Sequence, residues 1–495
     1  MTPYPAGADT VPLPLAEPST GPPTGGQLAA LGALRRVAEE QARGTAQSPP
    51  HRSRGERLRP LIAAGVITGT VLGIVIGMRA AWHPGGRPEV RLGWYGTAVS
   101  LLLGSKLLLS LLARPVPDSP RARALLARAR VAAVITLYNE DPAAFAACLD
   151  SLLAQTSMPA AVTVVDDASA GPRCAELARS RVGEFAARGT LLRVVTFPEN
   201  RGKREGLAAG FRADPEAFAY LCVDSDTILA PTALERLMRP MTSRKVQAVT
   251  GCVLAANRDR NVLTRLIDLR YAYAFLGERA AYSVLGSVLC VCGSLALYRG
   301  STARKYLPAL TGQRFLGLPC TYGDDRHMTF LCLKEGKVVL APDAVAWTLV
   351  PYRMGHFLRQ QLRWSKSFFR ESAWMLARMP PWRACWWLAL VETVTWLGFT
   401  AALTWSLAVR PAFTGQFAAL AYLASALLLS YARAGHYARA EHPGMTWRGR
   451  LLTLAIAPLY GAIHMVLLLP LRLVALVTLR DPRWGTRKTV EVEAS

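Results

Sequence analysis

The chain has 495 residues, 51% of them hydrophobic, with a mean hydropathy of +0.20; this excludes an ordinary small soluble domain and leaves room for one large domain plus several membrane spans. Its 58 Lys and Arg against 34 Asp and Glu give a formal net charge of +24, which in a soluble protein would suggest nucleic acid. Cytoplasmic loops of membrane proteins collect the same residues, and the basic positions here lack the aromatic-basic platforms of single-strand binders, so no nucleic-acid partner is expected.

In chain order, residues 1–57 are rich in Pro, Gly, Ala and Thr and then in Arg and Gln, a composition that reads as a disordered cytoplasmic tail. Residues 58–113 hold two apolar blocks, Leu61 to Ala81 and Leu92 to Ala113, joined by a polar loop with His83-Pro84-Gly85-Gly86; the pair predicts a transmembrane hairpin, with Lys106 inside the second helix either facing protein or snorkelling. From 114 to 355 the pattern becomes α/β. Strands are predicted at Val131 to Thr136, Ala161 to Val165, Leu191 to Phe197 and Ala219 to Val223, alternating with helices such as the one opened by Pro142. That alternation implies a parallel sheet, with ligands at the carboxyl ends of the strands.

Residues 356–385 predict interfacial amphipathic helices, and 386–479 a membrane region with spans at Trp386 to Val409 and Ala412 to Tyr431. Leu451 to Leu479, interrupted by Pro458, Gly461 and Pro470, reads as a bent hairpin or re-entrant pair, because the basic tail at 480–495 would then stay cytoplasmic. Glu392 and His464 fall inside these segments, where each could line a hydrated channel or satisfy a neighbour. The nine cysteines show no Cys-x-x-Cys spacing and read as reduced core residues; Cys290-x-Cys292 is the pair that stands out.

The chemistry-bearing motifs fall at strand ends. Asp224-x-Asp226 follows the fourth predicted strand and suits a hard divalent cation, Mg2+ or Mn2+, that neutralises a diphosphate leaving group; the same spacing also occurs in solvated turns. Asp166-Asp167 ends the second strand, and Asn200-Arg201-Gly202-Lys203-Arg204 follows the third, with Lys203 and Arg204 able to meet phosphate. Gly323-Asp324-Asp325 offers a carboxylate to take the proton from an attacking hydroxyl, and Asp325 is the candidate base. His327 reads as structural. Gln360, Arg363 and Trp364 share one helical face and offer an amide, a guanidinium and an indole to a sugar.

Asp166-Asp167, Asp224-Ser225-Asp226, Gly323-Asp324-Asp325 and the Gln360 to Trp364 string together resemble the processive family 2 glycosyltransferases, the group of cellulose, chitin and hyaluronan synthases. Phe315 to Pro319, Gly323 to Thr329, Gln360 to Glu371 and Trp484 to Lys488 resemble class I hyaluronan synthases in particular. The resemblance covers roughly residues 58 to 491. It implies a GT-A catalytic domain fused to an α-helical transmembrane domain in a multi-pass plasma-membrane protein, with the catalytic domain cytoplasmic. It also implies inverting transfer from UDP-GlcNAc and UDP-GlcA onto a growing polysaccharide that the same protein exports. By that resemblance Asp166 or Asp167 would hold uridine, and Asp224 and Asp226 the metal-bound diphosphate. Asp325 would be the base; Gln360, Arg363 and Trp364 would frame the acceptor at the pore mouth, and Trp484 to Arg487 would close over UDP. The chain departs from the pattern at Gly293-Ser294, where the family usually has Gly-Pro. A single-donor, chitin-type synthase is the alternative implied by the same motifs.

Overall fold

The computed structural model describes residues 102–405 and 430–481, with Gly65, Leu72, Val409, Ala412 and Phe413. The tail at 1–57, most of the first predicted membrane segment, most of Ala412 to Tyr431, and Trp484 and Arg487 lie outside the described residues.

Helix α1 (Leu102–Leu112) leads into an α/β domain. Its elements are β1 (Val131–Leu137), α2 (Pro142–Leu153), β2 (Ala161–Asp166), β3 (Leu191–Thr196), α3 (Lys203–Ala213), β4 (Ala219–Asp224), β5 (Thr227–Leu229), β6 (Val246–Ala255), α4 (Val262–Tyr273), β7 (Ala296–Arg299), β8 (Arg314–Phe315), β9 (Leu318–Pro319), α5 (Asp324–Glu335) and β10 (Lys337–Thr348). Local chemistry sets these elements. Asp141 caps α2 by accepting from the amides of Ala143 and Ala144 at 2.9 and 3.0 Å, and Pro142 occupies the first turn, where its missing N–H is not needed. β2 is buried at every position and β1 at all but one, so both read as continuous apolar runs rather than alternating ones.

The four predicted strands are all present, in an eight-stranded sheet of order β3-β2-β1-β4-β7-β6-β10-β5. The sheet is mixed rather than parallel. β7 runs antiparallel to both β4 and β6, and β5 antiparallel to β10 at the edge. The reversal has a local cause: α4 continues as a wide-turned helix through Arg279 and on to Val284, so the chain re-enters the sheet at the carboxyl end of β4, pairing Ala296 with Cys222. The residues preceding β7 therefore lie over Asp224.

Beyond the sheet come α6 (Met354–Arg378), a single helix of 25 residues, and α7 (Ala384–Thr404). The last is α8 (Trp447–Val477), 31 residues long. Among the described residues two stretches are long and apolar enough to cross a membrane, Ala384–Ala401 and Trp447–Val477. The second corrects the expected hairpin. Pro458 and Pro470 each fall in the first turn of a helical segment, with a π-turn over His464–Leu468 between them, and the stretch runs on as one helix without reversing. Lys106 faces protein: its ammonium pairs with Glu392 of α7, which also accepts from the Tyr282 hydroxyl.

Candidate active site

The acidic strand ends converge. Asp224, at the end of β4, takes the Lys203 ammonium at 2.5 Å on one oxygen and the Ser294 hydroxyl at 2.7 Å on the other. Burial disfavours the Lys203 cation, but Asp224, with Asp324 and Asp325, outweighs it and holds the ammonium above its ordinary range. Asp226 accepts from Thr348 at 2.9 Å and from Thr227 at 3.3 Å. Its carboxyl is pushed up to about 8 by burial and by the neighbouring charges of Glu140 and Asp224. Glu140, just past β1, accepts from the Ser225 hydroxyl at 2.5 Å. Three carboxylates thus crowd one corner.

The loop before α3 is shaped by Asp167, which accepts from the amides of Arg201 at 2.6 Å and Gly202 at 2.9 Å. Gly202 has φ 90°, which L side chains rarely adopt, so glycine is required to aim Lys203 inward. Asp166 is buried and accepts from the Ser169 hydroxyl at 2.6 Å. Arg204 departs from the expectation of phosphate contact. It is buried and donates to the carbonyls of Leu310 and Tyr322 at 2.8 and 3.1 Å, because it lies on the face of α3 turned away from the cavity.

Asp325 sits in the first turn of α5, after Gly323 in a left-handed conformation. Burial and the adjacent Asp324 push its carboxyl above the ordinary range, against the opposing pull of Arg326. The Cys290 thiol donates to its Oδ2 at 3.4 Å, and the Arg326 amide to its Oδ1 at 2.7 Å. Burial and the Asp325 charge push the Cys290 thiol up to about 12, so it stays a neutral donor. All nine cysteines are free. The loop ahead of Asp325 is pinned from two sides, since Arg370 of α6 donates to the Tyr322 carbonyl at 2.5 Å beside Arg204. His327 is fully buried and hydrogen-bonds Glu371 of α6 at 2.9 Å.

α6 brings Gln360, Arg363 and Trp364 to the same space, with Trp364 6.4 Å from the Tyr271 ring. One cavity of about 440 Å³ is lined by Asp167, Lys203, Asp224 and Asp226 at one side and by Asp325, Gln360, Arg363 and Trp364 at the other. It continues to Glu392 and Trp396 of α7 and to Tyr460 of α8. Of the predicted site residues described, Asp166 and Arg204 are absent from the lining. Trp484 and Arg487 lie outside the described residues, but the chain leading to them is tethered here: the Tyr322 hydroxyl donates to the Asp481 carbonyl at 3.2 Å, and Lys366 lies 3.7 Å from the Asp481 carboxylate.

The sequence assigned no role to Glu140, and none to Cys290 beside Asp325. Glu140 was visible as the residue stopping β1, within Tyr138-Asn139-Glu140. For Cys290 the only signal was its spacing from Cys292, which says nothing of Asp325 35 residues on.

The glycosyltransferase-like family 2 profile matches residues 128–367. A hyaluronan synthase of Streptococcus pyogenes is 35% identical over 403 residues, covering 81% of this chain and 92% of that one. An N-acetylglucosaminyltransferase of Rhizobium sp. (strain N33) is 37% identical over 359 residues, covering 72% of this chain and 76% of that one. Among solved structures, a mannosyltransferase from Pyrobaculum calidifontis in complex with GDP-Man and Mn2+ overlaps 75% of this chain and 98% of its own, at 19% identity and a TM-score of 0.48.

Proposed function

The chain belongs to the class I hyaluronan synthase-like group of the family 2 glycosyltransferases, and from that premise we propose that it polymerises UDP-GlcNAc and UDP-GlcA into hyaluronan by inverting transfer and exports the chain through its own transmembrane channel. The observation that carries this reading is the single cavity running from Asp224 and Asp226, past Asp325 and Trp364, to Glu392 and Trp396 on a membrane-length helix. Such a cavity suits an enzyme whose product leaves through its own membrane region.

In this reading Asp224 and Asp226 hold a divalent cation, Mg2+ or Mn2+. The residues fit one: Asp226 is a carboxyl burdened by two neighbouring negative charges, Glu140 and Asp224, which a cation relieves. Among the described residues no three His, Cys, Asp or Glu side chains are grouped to hold a metal, so diphosphate oxygens would complete the shell. When bound, the cation supplies charge neutralisation for the departing diphosphate. Lys203 adds a positive charge at the same place. Asp167, which lines the cavity, takes the uridine side, while Asp166 supports it from behind. Trp484 and Arg487 close over the bound nucleotide.

Asp325 accepts the proton of the acceptor hydroxyl as that oxygen attacks the anomeric carbon from the face opposite UDP. The new carbon–oxygen bond forms as the bond to the diphosphate breaks, so the configuration inverts. The raised affinity of Asp325 for a proton suits a base that must accept one. Gln360 and Arg363 hold the acceptor, and Trp364 offers it a stacking face.

A second reading, a chitin-type synthase using UDP-GlcNAc alone, is favoured by the likeness to the Rhizobium N-acetylglucosaminyltransferase. Purified protein given UDP-GlcNAc alone, UDP-GlcA alone, or both separates the two. High-mass polymer that needs both donors and is digested by hyaluronan lyase is the expected result. Chitinase-sensitive polymer from UDP-GlcNAc alone would replace the first reading with the second.

A further inference from the structure

Ser367 lies on α6, seven residues after Gln360, so Gln360, Trp364 and Ser367 follow one face at spacings of four and three. Its side chain is only 3% exposed, lines the same cavity, and its hydroxyl has no hydrogen-bond partner among the described residues. Several helical hydroxyls among the described residues instead bond back to a carbonyl one turn earlier, as Thr329 does to Asp325 at 2.6 Å, Thr393 to Ala389 at 2.7 Å and Thr400 to Trp396 at 2.7 Å. A buried hydroxyl left without a partner is destabilising, and its retention calls for an occupant that supplies one.

The hydroxyl also sits hard against the base loop. A Cβ built on Gly323 would lie 2.2 Å from Ser367 Oγ, so the absence of a side chain at Gly323, two residues before Asp325, is what gives Ser367 its place. Gln360 Oε1 is likewise buried without a partner. Seven residues of helix separate these two polar groups by about 10.5 Å along the axis, with Trp364 between them. The arrangement is a row of one hydroxyl, one aromatic face and one amide leading away from the base.

We propose that Ser367 is an acceptor-binding residue: its hydroxyl hydrogen-bonds a hydroxyl of the terminal pyranose of the growing chain, while Gln360 grips the chain further from the reacting end. The inference rests on the glycosyl-transfer reading above and deepens it by naming the class of ligand, a neutral polyhydroxyl face, that meets α6 beside Asp325. Without the Ser367 contact the terminal sugar is held less firmly over the base, and water competes for the activated donor.

The test uses the full-length protein with Ser367→Ala, Ser367→Cys, and Ser372→Ala as a control, since Ser372 is a buried residue on the same helix outside the cavity lining. UDP release, sugar incorporation and chain length are measured together at saturating donors, and donor half-saturation separately. Ser367→Ala is expected to lower incorporation about five- to tenfold, to shorten the chains and to release UDP in excess of sugar incorporated, with donor half-saturation changed by less than about twofold. Ser367→Cys, with a weaker donor, falls between it and the unaltered protein, and it decides the matter by the same ratios if the alanine variant does not accumulate. Incorporation and chain length equal to Ser372→Ala would overturn the assignment, as would a raised donor half-saturation with coupling intact. Failure of the unaltered protein to make polymer would refute the transfer reading itself, whereas a defect confined to the Ser367 variants concerns Ser367.

Discussion

Asp325 carries opposing influences: burial and Asp324 raise its proton affinity, while Arg326, its amide and Lys203 lower it. In the proposed role as base, Asp325 must be ionised to accept a proton, and its pKa then sets the acid limb of the rate profile. Asp324→Asn removes a negative neighbour, which favours the ionised base, so the acid limb of kcat is expected to move to lower pH. An unmoved limb would mean that another group sets it. Asp325→Asn leaves the geometry but not the proton acceptor, and should lower polymerisation by about 10²- to 10⁴-fold, read as UDP release and sugar incorporation. Asp224, Asp226, Asp325 and the Gln360-Arg363-Trp364 face were legible in the sequence because each motif carries its chemistry within a few residues. Glu140, Cys290 and Ser367 were not, since what gives them meaning is a partner brought close by the sheet or by α6. Arg204 was misread for the same reason: spacing cannot tell which side of α3 faces the cavity.

At the scale of elements, α5 and α6 form one unit. Glu371 of α6 accepts from Gln313 at 2.7 Å and pairs with His327 of α5 at 2.9 Å, and both ionisable side chains are almost wholly buried. Burial opposes ionisation of Glu371, but the His327 bond and charge outweigh it and hold the carboxyl below its ordinary range. A depressed folded-state value stabilises the protein above the unfolded Glu pKa of about 4.3, and that contribution is lost as pH falls through the lower folded value. Glu371→Ala leaves His327 buried without its partner and should destabilise by roughly 3 kcal/mol, measured as a lowered thermal-unfolding midpoint of the purified protein. A midpoint unchanged from that of the unaltered protein would refute the role. The strand pattern was legible where apolar β-branched runs end in acidic turns. The antiparallel entry of β7 was not, because it depends on where the long helix after β6 delivers the chain, and it is this reversal that sets Ser294 on Asp224.

For the whole molecule, composition pointed to a membrane enzyme, and the described residues hold two helices long and apolar enough to span a bilayer. The continuity of α8 escaped the sequence reading because Pro458 and Pro470 look like breaks, and whether a proline ends a helix or is carried within one depends on how the neighbouring turns re-pair. The charge of +24 fits the proposed placement of the catalytic domain at an anionic membrane surface. Chelation with EDTA should halt polymerisation in the whole protein, and added Mg2+ or Mn2+ should restore it. The central claim is that one protein both couples two UDP-sugars and passes the product through itself. Proteoliposomes carrying the purified chain, supplied with both donors and hyaluronan lyase on the outside, test it most directly. High-mass polymer that resists the lyase until detergent opens the vesicles, and none when either donor is omitted, is the expected result; polymer digested outright in intact vesicles, or made from one donor, would refute coupled two-donor synthesis and export.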